Sequence, residues 1–100
     1  MQTVRLQLTG DLDVVVAAAE FQRLIEGPQA GDRVELDLGA VKFIDSSGIS
    51  MLISAKKHFD GVGTELVLVN PSPPVSRVLK LTGLTDTFAI HHETPEPSGA

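Results

Sequence analysis

Strand-like and helix-like stretches alternate along this chain, and that order constrains its fold more than any other feature. Apolar and polar residues alternate over residues 4–8 and 34–38, a pattern typical of half-buried strands. Residues 66–69 are four consecutive aliphatic residues, typical of a strand covered on both faces. The sequence also predicts helices over about residues 13–26, 47–58 and 74–81, and a last short strand over residues 87–91. This order predicts an α/β domain with a four-stranded, mostly parallel or mixed sheet and three to four helices.

Glycine and proline mark the predicted breaks between these segments. Thr9-Gly10 and Gly39 predict the ends of the first two strands, and Gly27-Pro28 predicts the end of the first helix. Gly83 lies where the C-terminal cap of the third helix is expected. Residues 1–92 are expected to form one domain, and residues 93–100, with two prolines, a serine and a glycine, are expected to be a flexible tail.

The charge balance argues against two classes of partner. Eight basic against thirteen acidic residues give a net charge of -5, which disfavours the phosphate backbone of nucleic acid and anionic membrane surfaces. The longest uninterrupted apolar run, residues 14–19, is far shorter than the roughly 18–20 residues of a membrane span. No signal peptide is recognisable in the first ten residues, and the absence of cysteine fits a reducing compartment. We therefore expect a cytoplasmic domain without direct contact to nucleic acid or membrane.

The segment from Asp45 to Gly48, Asp-Ser-Ser-Gly, lies where a predicted strand leads into a predicted helix. Asp45 or Ser46 is expected at the helix N-cap, and capping alone would explain both residue types. A serine hydroxyl there also lies beside unpaired backbone N–H groups and the positive end of the helix dipole, where a phosphate is stabilised. Gly48 removes a side chain and is expected to let a partner backbone approach. The segment is therefore suited to accept a phosphoryl group.

Three short motifs together resemble one protein family. Residues 44–49, Ile-Asp-Ser-Ser-Gly-Ile, resemble the signature of the STAS domains of bacterial anti-sigma factor antagonists. Residues 8–13, Leu-Thr-Gly-Asp-Leu-Asp, and residues 81–84, Leu-Thr-Gly-Leu, resemble two further family segments in the same order. The resemblance extends over about residues 4–90 and implies a single STAS-like domain.

The resemblance implies a partner switch rather than catalysis. In that family the unphosphorylated antagonist binds an anti-sigma factor, which is also a serine kinase, and so frees a sigma factor. The kinase uses ATP and magnesium to phosphorylate the serine directly after the aspartate, which matches Ser46 here, with Ser47 as the alternative. A serine phosphatase then restores binding. Asp13 matches a family aspartate that lies near this serine and contributes to the kinase contact.

The same resemblance implies a partner surface without catalytic residues, cofactor or metal. Asp13 and Ser46 are expected to be neighbours on a rim that includes the turn after the third helix. The residues expected to bind the partner are Asp13, Asp45, Ser47, Gly48, Ile49, Thr82 and Gly83. The chain departs from the family pattern in lacking a strand before residues 4–8 and in having Ser50 where many members have glycine.

Two other functions stay open at this point. A STAS module that senses a small anion or nucleotide would use the same helix N-terminus. A serine hydrolase would need the elbow G-x-S-x-G, but Ile44 stands two residues before Ser46. The pair His91-His92 is better explained as surface residues than as metal ligands, because adjacent strand residues point to opposite faces.

Overall fold

Four β-strands and three α-helices alternate along the chain, which confirms the predicted α/β class. A computed structural model describes residues 2–28 and 30–93. The elements are β1 (Thr3–Leu12), α1 (Val14–Glu26), β2 (Arg33–Ile44), α2 (Ser46–Val62), β3 (Glu65–Val69), α3 (Pro73–Leu81) and β4 (Ala89–His91). Within the described ranges, no helix is both long enough and apolar enough to cross a membrane.

The strands follow one another in the sheet in the order β1-β2-β3-β4, and every neighbouring pair is parallel. Right-handed crossovers between strands in sequential order place all the helices on one face of the sheet. The core confirms this, since Ala17, Leu52 and Val75 from the three helices share one cluster with Leu36 of β2 and Leu68 of β3. The sheet thus has a helix-covered face and a helix-free face, called the open face below, on which Val67 and Val69 of β3 are nevertheless buried.

Two strands run further than their glycines suggested. The sequence predicted breaks at Gly10 and Gly39, but β1 continues to Leu12 and β2 to Ile44. Gly10 pairs with Val41 and takes a φ of 74° inside β1. Gly39 lies at the first register shift, and β2 continues past it because pairing with β1 resumes at Ala40. Pairing with a long neighbour therefore overrides the local turn signal.

Pairing between β1 and β2 is interrupted by two β-bulges. Thr3 pairs with Arg33 and Leu12 with Ile44, so β2 uses two more residues than β1 between these two pairs. The register shifts once between Gln7 and Thr9 and again between Gly10 and Asp11. Each extra residue on the bulged strand is left without a partner across the ladder.

The helix and strand ends elsewhere differ from prediction by a few residues. α2 runs to Val62 rather than residue 58, and Gly63 ends it with a φ of 75°. The Thr64 amide then donates to the Phe59 carbonyl at 2.9 Å, which satisfies a carbonyl at the helix end. β4 begins at Ala89, two residues later than predicted.

An ion-pair cluster lies on the open face of the sheet. Arg5 contacts Glu93 at 2.6 Å, Asp37 at 3.1 Å and Glu35 at 3.6 Å. The Glu93 amide also donates to Asn70 Oδ1 at 2.7 Å. Glu93, the first residue of the predicted tail, is therefore bonded to both β1 and the end of β3. Residues 94–100 of that tail lie outside the described residues.

The hydrogen bond from Arg5 lowers the pKa of Glu93 below that of an ordinary glutamate. We expect Arg5→Gln to raise that pKa toward the ordinary value, because the charged donor is lost. Since the folded-state pKa is the lower one, the contribution of Glu93 to stability is present above the ordinary carboxyl pKa. It is lost as the pH falls through the lowered value.

The measurement is an NMR titration of the Glu93 side-chain carboxyl carbon. Arg77→Gln, an exposed arginine on α3, serves as the matched control and should leave the titration unchanged. An identical Glu93 pKa in wild type and Arg5→Gln would show that the ion pair does not form in solution.

Candidate functional site

β1 and β2 end side by side, and each leads directly into a helix. Leu12 pairs with Ile44, the last residues of the two strands. The next residues, Asp13 and Asp45, are the N-caps of α1 and α2. The Asp45 amide also donates to the Leu12 carbonyl at 3.3 Å. The two helix N-termini therefore open at the same edge of the sheet, where the strands have their carboxyl ends.

Both aspartate side chains cap their helices through one carboxylate oxygen. Asp13 Oδ1 accepts hydrogen bonds from the amides of Val15 and Val16, both at 3.1 Å. Asp45 Oδ1 accepts from the amides of Ser47 at 2.9 Å and Gly48 at 3.2 Å. The sequence left the N-cap of α2 open between two residues, and the structure assigns it to Asp45. Each carboxylate satisfies two otherwise unpaired amides and adds a negative charge at the positive end of its helix.

The two serines differ in exposure. Ser46 is the first residue of α2 and is exposed, whereas Ser47 is half-buried. Ser47 lines a groove of about 280 Å³ between α1 and α2, together with residues that include Ala17, Phe21 and Met51. Ser46 therefore presents the more accessible hydroxyl.

Gly48 makes the close contact that sets α2 against the strand ends. A Cβ at this position would lie 2.7 Å from the Leu12 carbonyl oxygen and 2.7 Å from Ile44 Cγ1. Sequence reasoning assigned the missing side chain to a partner's approach, but Gly48 is buried and the approach is made by β1 of the same chain. Ile49 is likewise 8% exposed and belongs to the core. Neither residue presents open surface to a partner.

Thr82 and Gly83 do not join this edge, contrary to the expected rim. α3 leads from the carboxyl end of β3 back toward the amino end of β4, so its last turn lies toward the opposite edge of the sheet. Thr82 Oγ1 donates to the Val78 carbonyl at 2.7 Å. Gly83 has a φ of 72°, and the Leu84 amide donates to the Leu79 carbonyl at 2.8 Å. Both residues end the helix, as glycine commonly does at this position.

Exposed apolar side chains beside the capping aspartates were not among the predicted site residues. Val14 and Val15, in the first turn of α1, are 66% and 78% exposed. Phe43, two residues before Asp45, is half exposed. The β-branched run that begins at Val14 was the available signal, since such residues are neither good helix formers nor usual on a solvent-facing turn. Val14 and Val15 are adjacent in one helix turn, and adjoining exposed apolar groups commonly mark interaction surfaces.

The two histidines at β4 lie too far from Ser46 to act as its general base. His91 and His92 lie on or after β4, which is separated from β2 by β3. Two strand spacings amount to about 10 Å, whereas a general base must lie within about 3 Å of its nucleophile. Over residues 2–28 and 30–93, no group of three or more His, Asp or Glu side chains is arranged to hold a metal ion.

We expect Gly48→Ala to destabilise the protein by about 1–3 kcal/mol, because the added methyl group would overlap a backbone carbonyl that cannot move freely. Gly61→Ala in the same helix is the matched control. A Cβ at Gly61 meets no atom within 4 Å, so this change should be neutral or stabilise by up to about 1 kcal/mol. Urea denaturation of both variants measures the difference. Equal unfolding midpoints would contradict the close contact.

Comparison with known proteins places the chain in one family. The STAS domain family model matches residues 2–96. The chain is 28% identical over 91 residues to an anti-sigma F factor antagonist of Lysinibacillus sphaericus, covering 83% of this chain and 73% of the relative. It resembles the structure of the anti-sigma factor antagonist SpoIIAA in its unphosphorylated form, with a TM-score of 0.70, 25% identity and coverage of 97% and 84%. It also resembles the Bacillus cell fate determinant SpoIIAA in the phosphorylated form, with a TM-score of 0.65, 25% identity and coverage of 96% and 86%. The chain belongs to the STAS domain family.

Proposed function

We propose that this chain is an anti-sigma factor antagonist that works as a phosphorylation-controlled partner switch. In the unphosphorylated form it binds an anti-sigma factor, so that a sigma factor is freed and transcription changes indirectly. The observation that carries the proposal is the position of Ser46, exposed in the first turn of α2 beside the capping residue Asp45. Relatives that are named as anti-sigma factor antagonists support the same function.

Ser46 is the proposed phosphorylation site. The bound anti-sigma factor would act as the serine kinase, with ATP and magnesium, and a serine phosphatase would reverse the reaction. A kinase must place the acceptor hydroxyl in line with a phosphoryl group, which requires an accessible side chain. Ser46 is exposed, whereas Ser47 is half-buried and lines the groove between α1 and α2. Exposure therefore favours Ser46 over Ser47.

Phosphorylation is expected to change binding more than folding. A phosphoserine adds about -1.5 to -2 charges at neutral pH. The positive end of the α2 dipole offsets part of this charge, although Asp45 lies next to the site and Asp13 caps the adjacent helix. In a closely packed complex the phosphate would also lose its water, and its charge would meet the partner's surface. Phosphorylation is therefore expected to weaken the free energy of binding more than the free energy of folding.

A protein partner explains the surroundings of Ser46 better than a small ligand does. Val14 and Val15 provide exposed apolar surface on the adjoining helix turn. A free anion or nucleotide phosphate would need the first amides of α1 or α2, but the carboxylates of Asp13 and Asp45 already accept hydrogen bonds from them. A small anion would have to displace a tethered carboxylate. The alternative function as a sensor of small anions is therefore less well supported.

The central test uses substitutions at the two serines. Ser46→Ala should bind the anti-sigma factor but take up no phosphate, because the acceptor oxygen is gone. Ser46→Asp should fold but bind at least about tenfold more weakly, which corresponds to about 1.4 kcal/mol. Ser47→Ala is the matched control and should still be phosphorylated. Each anti-sigma kinase encoded in the source genome would be purified and tested by titration calorimetry and, after incubation with ATP and magnesium, by intact-mass measurement.

Two results would contradict the proposal in different ways. Equal affinity of wild type and Ser46→Asp for the partner would exclude the charge-controlled switch. Phosphate that remains on the Ser46→Ala variant and disappears from Ser47→Ala would move the modified residue to Ser47.

A second test concerns the apolar turn beside the serine. Val15→Ser should weaken partner binding about tenfold, since it removes an exposed apolar contact that a partner would bury. Leu81→Ser is the matched control, because Leu81 is equally exposed at 79% but lies at the last turn of α3. Both changes should leave the free energy of unfolding within about 0.5 kcal/mol. Similar affinities of the two variants would place the partner elsewhere on the molecule.

A further inference from the structure

The groove between α1 and α2 takes side chains from both helices and has an apolar floor. Ala17 and Met51 are each 5% exposed, and Phe21 is half-buried beside them. The residues that line this surface, called the α1–α2 groove below, are Ala17, Ala18, Phe21, Ser47, Ser50, Met51 and Ser54. None of the seven carries a charge, although the chain has a net charge of -5.

The spacing of the lining residues shows how far the groove runs along each helix. On α1, positions 17, 18 and 21 share one side, because residues three and four apart lie on the same face of a helix. On α2, positions 47, 50, 51 and 54 follow the same spacing. The rise from Ser47 to Ser54 is about 10 Å, at about 1.5 Å per residue. The groove is therefore about two helical turns long.

The α1–α2 groove opens at the edge of the sheet that carries the proposed phosphorylation site. Ser47, its first residue on α2, directly follows Ser46. At the same end of α1, Val14 lies three residues before Ala17 and four before Ala18, so its exposed side chain is at the mouth of the groove. The groove is thus continuous with the surface around Ser46.

The lining determines which kind of group the groove can hold. A charged side chain placed there would lose its water and meet no opposite charge in the lining. An apolar cavity of about 150 Å³ holds one benzene molecule, so a groove of about 280 Å³ has room for about two apolar side chains. An amphipathic helix supplies such side chains at intervals of three or four residues, and it lies along open grooves of this length.

We propose that the anti-sigma factor docks an amphipathic helix in the α1–α2 groove and inserts two of its apolar side chains, one turn apart, between α1 and α2. The inference rests on the proposed function, because it names the part of the partner that binds beside Ser46. Contact along the groove fixes how the partner lies on this edge, and so it places the kinase active site at the Ser46 hydroxyl. The lining residues do not include Ser46, so they are positioning residues.

Two substitutions place a carboxylate in the groove and leave Ser46 unchanged. Ala18→Glu on α1 and Ser54→Glu on α2 both alter exposed side chains. Each should weaken binding to the purified anti-sigma kinase at least about tenfold in titration calorimetry. Ala30→Glu is the matched control, because it makes the same change at an exposed turn before β2, at the opposite edge of the sheet. This control should bind like wild type.

The kinetics of phosphorylation give a second measurement. A docking contact that is equally strong before and during phosphoryl transfer raises KM when it is lost and leaves kcat unchanged. Ala18→Glu should therefore raise the KM for phosphorylation of Ser46 at least about tenfold at the wild-type kcat, and Ala30→Glu should change neither constant. Intact-mass measurement at increasing concentrations of each variant, with ATP and magnesium, gives both constants. A lower kcat at unchanged KM would contradict a docking role.

Cross-linking tests whether a helix occupies the groove. The chain has no cysteine, so Ser54→Cys provides a single site for a benzophenone photo-crosslinker. In the complex, the partner residues that become cross-linked should belong to one segment and be spaced three or four residues apart, as mass spectrometry would show. Cross-links to a loop of the partner, or to a second copy of this chain, would overturn the helix as the occupant.

Ser46→Asp separates this inference from the proposed function. If Ser46→Asp binds weakly while Ala18→Glu and Ser54→Glu bind like wild type, the groove contact is overturned and the partner switch stands. If no anti-sigma kinase binds wild type, both are overturned. Far-UV circular dichroism checks that each variant is folded. Glutamate is a good helix former, so α1 should persist in Ala18→Glu, and if one groove variant does not fold, the other decides.

Discussion

The alignment of Leu12 with Ile44 at the ends of β1 and β2 is the constraint on which the rest of the site depends. It sets the two following aspartates side by side, and the bond from the Asp45 amide to the Leu12 carbonyl holds them there. Gly48 then allows α2 to begin directly against these strand ends. Had either strand ended one residue earlier, the two helix N-termini would no longer open on a common surface. Ser46 would then no longer lie beside the N-terminus of α1.

The one-sided arrangement of the helices divides the sheet into two kinds of surface. On the covered face, aliphatic side chains such as Leu36, Leu38 and Leu52 are fully buried, each contributing roughly 1.5–3 kcal/mol from the removal of apolar surface from water. On the open face, the ion pairs around Arg5 are exposed, and pairs of this kind are individually weak. The fold is therefore held mainly by the covered face. The ion pairs of the open face chiefly connect β1 with Glu93, the last of the described residues.

The order and type of the helices and strands could be predicted from the spacing of apolar residues along the sequence. Each amphipathic segment must pack its apolar side against another segment, so this spacing is preserved in the fold. The strand ends did not follow, because Gly10 and Gly39 are local turn signals that pairing along a long neighbouring strand overrides. The sequence placed Asp13 at the start of the first predicted helix, whereas the choice of Asp45 as the cap of α2 required the backbone geometry. The roles of Gly48 and of Thr82-Gly83 were misjudged for a related reason. A short motif shows which residues are unusual, but only the path of the chain shows what lies against them and at which edge they fall.

The paired bulges of β2 have a consequence for how this strand can change. Its buried residues are even-numbered up to Leu38, shift to Val41 after the first bulge, and return to an even position at Ile44 after the second. A single extra residue in a strand turns every later side chain to the other face, and a second one turns them back. A variant that lost one bulge alone would point Ile44 away from the helices and expose it to water. We therefore expect β2 to tolerate insertions or deletions of two residues. A change of one residue would be selected against, because it would turn the following side chains to the wrong face of the sheet.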